Sequence, residues 1–196
     1  MNSHLTILHL PKRTDRLANL MQQLDEQEID NYTIIEGQVD LAAVFRGINN
    51  SHKSIVRLAR QQKMENVIIA EDDICFLGKG AWKYFLEQLE LNKDADIFLS
   101  MIYEGVIDEN NRIVKNVKSF SALTLYSINA KFYDTFLGLK DMAHIDKELG
   151  TLADKFDFRV CSPFVCKQID GFSDQKKQDC KYDKYLKGRK LFGVNQ

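Results

Sequence analysis

With 196 residues, 44% of them hydrophobic and 28% charged, the chain has material for one sizeable core and too little for two. Twelve Phe and seven Tyr against only two Pro argue against disorder, and a formal net charge of -1 lacks the basic excess of a typical nucleic-acid reader. No basic start, long apolar stretch or cleavage site is seen near Met1, and no run of about 18 apolar residues occurs. The expectation is therefore a cytoplasmic chain without signal peptide or membrane span. Cys75, Cys161, Cys166 and Cys180 have the spacing of neither a zinc ribbon nor a redox pair, so reduced thiols are expected.

In chain order, Thr6 to Leu10 predicts a first strand that Pro11 ends. Thr14 can cap a helix to Gln27, with Leu17, Leu20, Met21 and Leu24 as its apolar stripe. Tyr32 to Ile35 predicts a second strand. Ser51 can cap a helix to Lys63, with Ile55, Leu58 and Ala59 inward. Val67 to Ala70 is continuously apolar, as a strand covered on both faces should be. Trp82, Phe85, Leu86 and Leu89 have helical spacing. Strands at Asp96 to Met101 and Ala122 to Ser127 follow, with a turn at Asp108 to Asn111 between two ribbons. Lys131 to Leu139 predicts a short helix, and Ile145, Leu149, Leu152 and Phe156 another helix face. Phe164 to Gln168 predicts the last strand. This order implies one α/β domain over residues 1–175, with a mostly parallel sheet and a smaller antiparallel ribbon. Residues 176–196 form a basic tail, expected to be a solvated helix or a grip for diphosphate or anionic lipid.

Glu71-Asp72-Asp73 is the most informative segment. Three carboxylates directly follow a buried strand, and open α/β sheets bind ligands beyond the carboxyl ends of their strands. Crowded carboxylates repel one another, and a hard divalent cation, Mg²⁺ or Mn²⁺, removes the conflict while sharing a substrate diphosphate. Alternation along the chain places Glu71 and Asp73 on one side and Asp72 on the other. The alternative is an acidic surface turn. A phosphatase with strand-end aspartates is disfavoured, because the first strand ends in Leu10-Pro11-Lys12-Arg13.

His9 to Arg16, Gly47-Ile48-Asn49-Asn50-Ser51-His52, and Val67 to Ile74 with its Glu-Asp-Asp, in that order, resemble segments of glycosyltransferase family 25, the lipopolysaccharide-biosynthesis glycosyltransferases. Leu123 to Ile128 and His144-Ile145-Asp146 are similar to later family segments. His9 stands where the family has Asn, and Ile48 where it has Cys. The resemblance implies a GT-A fold, Rossmann-like with a metal-binding acidic motif. It also implies inverting transfer from a nucleotide-diphosphate sugar, UDP-linked by expectation, to a glycan or lipid-linked acceptor.

The resemblance places the donor nucleotide at the loop carrying Arg13, Asp15 and Arg16, whose guanidinium groups suit phosphate. Ser51 as a cap would put His52 on a first helical turn, where anions bind. With Glu71 and Asp72 these make the expected donor-binding set, and Asp73 with His144 the expected metal ligands. Asp146, at a helix start, is the expected general base, with Asp174 and then Glu104 as competitors. Two rival functions remain open at this stage. One is a non-catalytic nucleotide- or glycan-binding protein; the other is a nucleotidyltransferase, disfavoured by the absence of glycine from Pro11 to Thr14.

Overall fold

Alternating strands and helices build the first half of the molecule. The computed structural model describes residues 3–108, 113–115, 121 and 123–194. β1 (Leu5–His9) is buried along its whole length, followed by α1 (Thr14–Glu26), β2 (Tyr32–Glu36), α2 (Val44–Gln61) and β3 (Asn66–Glu71). β1 pairs in parallel with β2 on one side and β3 on the other. Then come β4 (Ile74–Phe76), α3 (Ala81–Leu91), β5 (Ile97–Leu99), β6 (Val106–Asp108), β7 (Ile113–Lys115) and β8 (Leu125–Asn129). The remainder holds α4 (Tyr133–Leu137), α5 (Ile145–Gly150), β9 (Phe158–Val160), β10 (Cys166–Gln168), β11 (Gly171–Ser173) and β12 (Gln178–Cys180).

Among the described residues the main sheet has the order β2-β1-β3-β8-β5-β9-β7-β6. β2, β1, β3, β5, β9 and β6 run one way, and β8 and β7 the other. The fold class is therefore α/β with a mostly parallel sheet, and β4-β10 and β11-β12 form two small antiparallel pairs. The core is continuous through Ile7, Ile69, Phe85, Phe98, Phe132 and Phe158, all at most 1% exposed. The four thiols are free.

Several predicted boundaries change. Arg13, not Thr14, stands at the N-cap of α1, and no side chain caps it. α2 starts at Val44, so Ser51 lies inside the helix rather than capping it. Two local features explain the earlier start. Asp40 Oδ1 accepts the free N–H groups of Ala42 and Ala43, both at 2.9 Å, as an Asx turn does. Gly47 then lets the helix press on the preceding loop: a Cβ there would sit 2.6 Å from the Gln38 carbonyl oxygen and 2.7 Å from the Asp40 nitrogen. α5 ends at Gly150, short of the predicted Phe156, and turns follow it. β4, β9 and β12 are strands of three residues each, too short to carry a period. The turn expected at Asp108 to Asn111 and the strand start at Ala122 fall largely outside the described residues.

The basic segment is not a solvated helix. Residues 178–180 pair with β11, a 3₁₀ turn spans Asp183–Tyr185, and Cys180, Tyr182 and Leu186 are buried. Apolar side chains at these positions outweigh the lysines between them, which keep their charged ends in water. The boundary drawn at residue 175 lies in the turn of the β11-β12 hairpin.

Candidate active site

A cleft of about 570 Å³ opens at the carboxyl ends of β1, β2 and β3, with further walls from α5, β10 and the β11-β12 hairpin. That location is where open α/β sheets bind ligands. The lining includes Arg16, Ser51, His52, Glu71, Asp72, Asp73, His144 and Asp146, so these expected residues share one cavity. Arg13 and Asp15 do not line it. Arg13 spends its guanidinium on Asp15, at 2.9 and 2.7 Å, and on Asp174, at 2.8 Å. With Lys12 also on Asp174, the pair ties the start of α1 to the hairpin.

Asp72 and Asp73 form the turn between β3 and β4, and the same Arg16 nitrogen reaches both, at 2.8 and 3.3 Å, so extended-strand alternation does not divide them. Asp72 turns back under β1: Oδ2 pairs with His9 Nδ1 at 2.8 Å and accepts Leu10 N–H at 3.2 Å, and Oδ1 accepts from Arg16 at 2.8 Å. Both oxygens are partnered, so Asp72 braces the loop. Asp73 has one oxygen near Gln168 and Arg16, each at 3.3 Å, and its buried Oδ1 has no partner. Burial first, and then the neighbouring Glu71 charge, push the Asp73 carboxyl up to about 7, against the pull of Arg16. Burial opposes the Arg16 charge, but Asp73 and Asp72 outweigh it and raise its pKa. Ile169, directly after β10, holds the loop from the other side through its N–H to the Asp73 carbonyl at 2.7 Å.

The buried polar face of α2 organises the rest of the cleft. Asn49 accepts from Ile145 N–H at 2.9 Å and donates to the Ala143 carbonyl at 2.8 Å, fixing the start of α5. Ser51 accepts Gln38 N–H at 2.7 Å and donates to the Gly47 carbonyl at 2.8 Å, so it shapes the loop after β2. His52 is not on a first turn with free N–H groups. It is buried in mid-helix, with Nε2 3.2 Å from Glu71 and Nδ1 2.7 Å from Tyr126. Lys53 ends on the Leu139 carbonyl and Asp141.

Asp146 lies in the first turn of α5, and burial pushes its carboxyl up to about 6 despite the Lys147 N–H it accepts. The neighbouring Glu71 charge raises it further. His144 packs edge-on against Phe45 at 5.8 Å and meets Gln175 at 2.7 Å; burial lowers its pKa. Burial opposes ionisation of Asp174, but Lys12 and Arg13 outweigh it and hold the carboxyl below its ordinary range. The sequence reading did not single out Asn49, Tyr126 or Gln168. Asn49 and Tyr126 lay inside quoted segments and Gln168 at the end of a predicted strand, but nothing local marked their polar roles.

The donors suit a divalent cation only as part of a shared site. Among the described residues no three His, Cys, Asp or Glu side chains group to hold a metal. The orphaned Asp73 oxygen nevertheless fits the habit of Mg²⁺, which takes one or two carboxylates and completes its shell with phosphate and water. Among the described residues no helix is long and apolar enough to cross a membrane.

No protein-family model matches the chain, and no curated protein sequence matches it. The resemblance to family 25 therefore rests on the quoted motifs. Among solved structures, a glycosyltransferase involved in glycosylating the major capsid of PBCV-1 superposes with a TM-score of 0.54 at 12% identity, covering 98% of this chain and 93% of that one. The chain has a glycosyltransferase-like fold. A Bacillus anthracis protein assigned as a glucose-1-phosphate thymidylyltransferase, in complex with a sucrose, overlaps more loosely. Its TM-score is 0.44 at 11% identity, with 80% of this chain and 66% of that chain covered, just under two thirds. Within this glycosyltransferase-like fold the acidic segment ends a central strand and faces the cleft.

Proposed function

We propose that the chain is a glycosyltransferase that moves a sugar from a nucleotide-diphosphate donor to an acceptor hydroxyl. The observation that carries this reading is the cleft itself. A guanidinium, a buried carboxylate with an unpartnered oxygen and a second, desolvated carboxylate converge where the sheet's strands end. Arg16 would meet the diphosphate. Asp73 would hold Mn²⁺ or Mg²⁺ through its unpartnered oxygen, with His144 as a second ligand. When bound, such an ion supplies Lewis-acid neutralisation of the leaving diphosphate.

Asp146 is the better base. A carboxyl raised to about 6 is still ionised at neutral pH and holds a proton more strongly than an ordinary one. Asp174 is committed to Lys12 and Arg13. As the acceptor oxygen attacks the anomeric carbon in line, Asp146 takes its proton, the bond to the diphosphate oxygen breaks, and nucleoside diphosphate leaves. Holding both partners in one cleft converts a bimolecular encounter into an oriented one. UDP as the nucleotide, inversion at carbon, and an acceptor in cell-surface polysaccharide or lipopolysaccharide follow from the motif resemblance. The test is a screen of nucleotide sugars with Mn²⁺, scored for released nucleoside diphosphate. Binding without release would identify a non-catalytic binder, and release of pyrophosphate a nucleotidyltransferase.

A further inference from the structure

Tyr126 is the second residue of β8, opposite Ile69 of β3 and Leu99 of β5, and is fully buried. A strand covered on both faces ordinarily carries apolar side chains. A hydroxyl there is costly unless it is partnered. Its partner is His52 Nδ1 at 2.7 Å, and His52, 1% exposed, continues to Glu71 Oε1 at 3.2 Å.

The direction of this chain follows from chemistry. Burial raises the Tyr126 hydroxyl well above its ordinary pKa, so it keeps its proton and can donate. A Glu71 carboxylate can only accept. Tyr126 therefore donates to Nδ1, which leaves the ring proton on Nε2, and Nε2–H donates to Glu71. The tautomer of His52 is set by a buried hydroxyl, and one Glu71 oxygen is held in place by it. The other Glu71 oxygen has no hydrogen-bond partner among the described residues, and Glu71 lines the cleft. An open carboxylate oxygen accepts from hydroxyls and repels phosphate. It stands two residues from Asp73, and both side chains line the same cleft.

Resting on the transferase reading, we propose that Tyr126 and His52 are positioning residues that present Glu71 to a hydroxyl of the transferred sugar. The relay reads the sugar half of the donor and leaves the nucleotide half to Arg16 and Asp73.

The experiment is calorimetric binding to the full chain with Mn²⁺, comparing UDP with a panel of UDP-sugars. Tyr126→Phe keeps the ring and removes the donor. It should weaken the preferred UDP-sugar by about tenfold, the scale of one hydrogen bond to a charged group, and leave UDP within about twofold. His52→Ala should do the same, and His52→Gln, whose amide can still donate to Glu71, should recover most of the loss. Thermal melts establish that each variant is folded. Equal weakening of UDP and UDP-sugar, or none, overturns the relay and leaves the transferase reading standing. Failure of the wild type to bind any nucleotide overturns both.

Discussion

Asp146→Asn should make the protein more stable and less active, and the two effects separate by pH. Burial raises the Asp146 carboxyl from 3.8 to about 6. A fully buried group with that gap would cost about 3 kcal/mol when ionised. Asp146 is half-buried, and solvent screening reduces the figure to about 2 kcal/mol. The sign follows from proton binding. Between the ordinary pKa and about 6 the folded state holds more protons than the unfolded chain, so stability falls as pH rises through that window. The penalty is absent below pH 4 and complete above about 6. Asn cannot ionise and escapes it. At pH 8 the variant should therefore melt about 4–8 °C higher than wild type, and at pH 3.5 at the same temperature. Turnover should fall by at least about a hundredfold, because the amide cannot take the acceptor's proton. Melting curves at the two pH values and initial rates of nucleotide release check both parts. An unchanged or lower melting temperature at pH 8 refutes the desolvated carboxylate. Retained turnover, with loss in Asp174→Asn instead, moves the base to Asp174.

Three further outcomes are expected. Asp73→Ala should lower turnover by about a hundredfold with folding intact, and wild-type rates that persist in a metal-stripped buffer would remove the reason to expect this. UDP with Mn²⁺ at about a hundred times Kd should stabilise the fold by roughly 2.7 kcal/mol, several degrees by thermal melt, and chelator should cancel most of the shift. Equal shifts with and without chelator would make Glu71-Asp72-Asp73 an ordinary acidic turn. Gly47→Ala should cost about 1–3 kcal/mol, because the added methyl meets backbone at 2.6 and 2.7 Å and has no flexible neighbour to displace. A melting temperature equal to wild type would show that the β2-α2 loop yields.

Sequence alone determined the alternation of strands and helices in the first half, and with it the α/β class. Each of those elements carries a period or a continuous apolar run long enough to count. It also singled out Glu71-Asp72-Asp73 as a strand-end carboxylate cluster, because three adjacent charges after Val67 to Ala70 have no core role. Tertiary structure alone decided which carboxylate is left with an unpartnered oxygen. Asp72 and Asp73 are chemically identical in sequence, and only the packing of His9, Leu10 and Arg16 on Asp72 leaves Asp73 with the unpartnered oxygen. The start of α2 was invisible for the same reason: Asp40 and Gly47 act through a contact between loop and helix, so Ser51 looked like a cap. Arg13 was read as a phosphate ligand by type, but its partner Asp174 lies on a hairpin far along the chain. The relay from Tyr126 through His52 to Glu71 joins three elements distant in sequence, β8, α2 and β3, and no local pattern records it. Periodicity reports what each segment buries; which polar groups then meet depends on how the segments cross, and that is a property of the packed sheet.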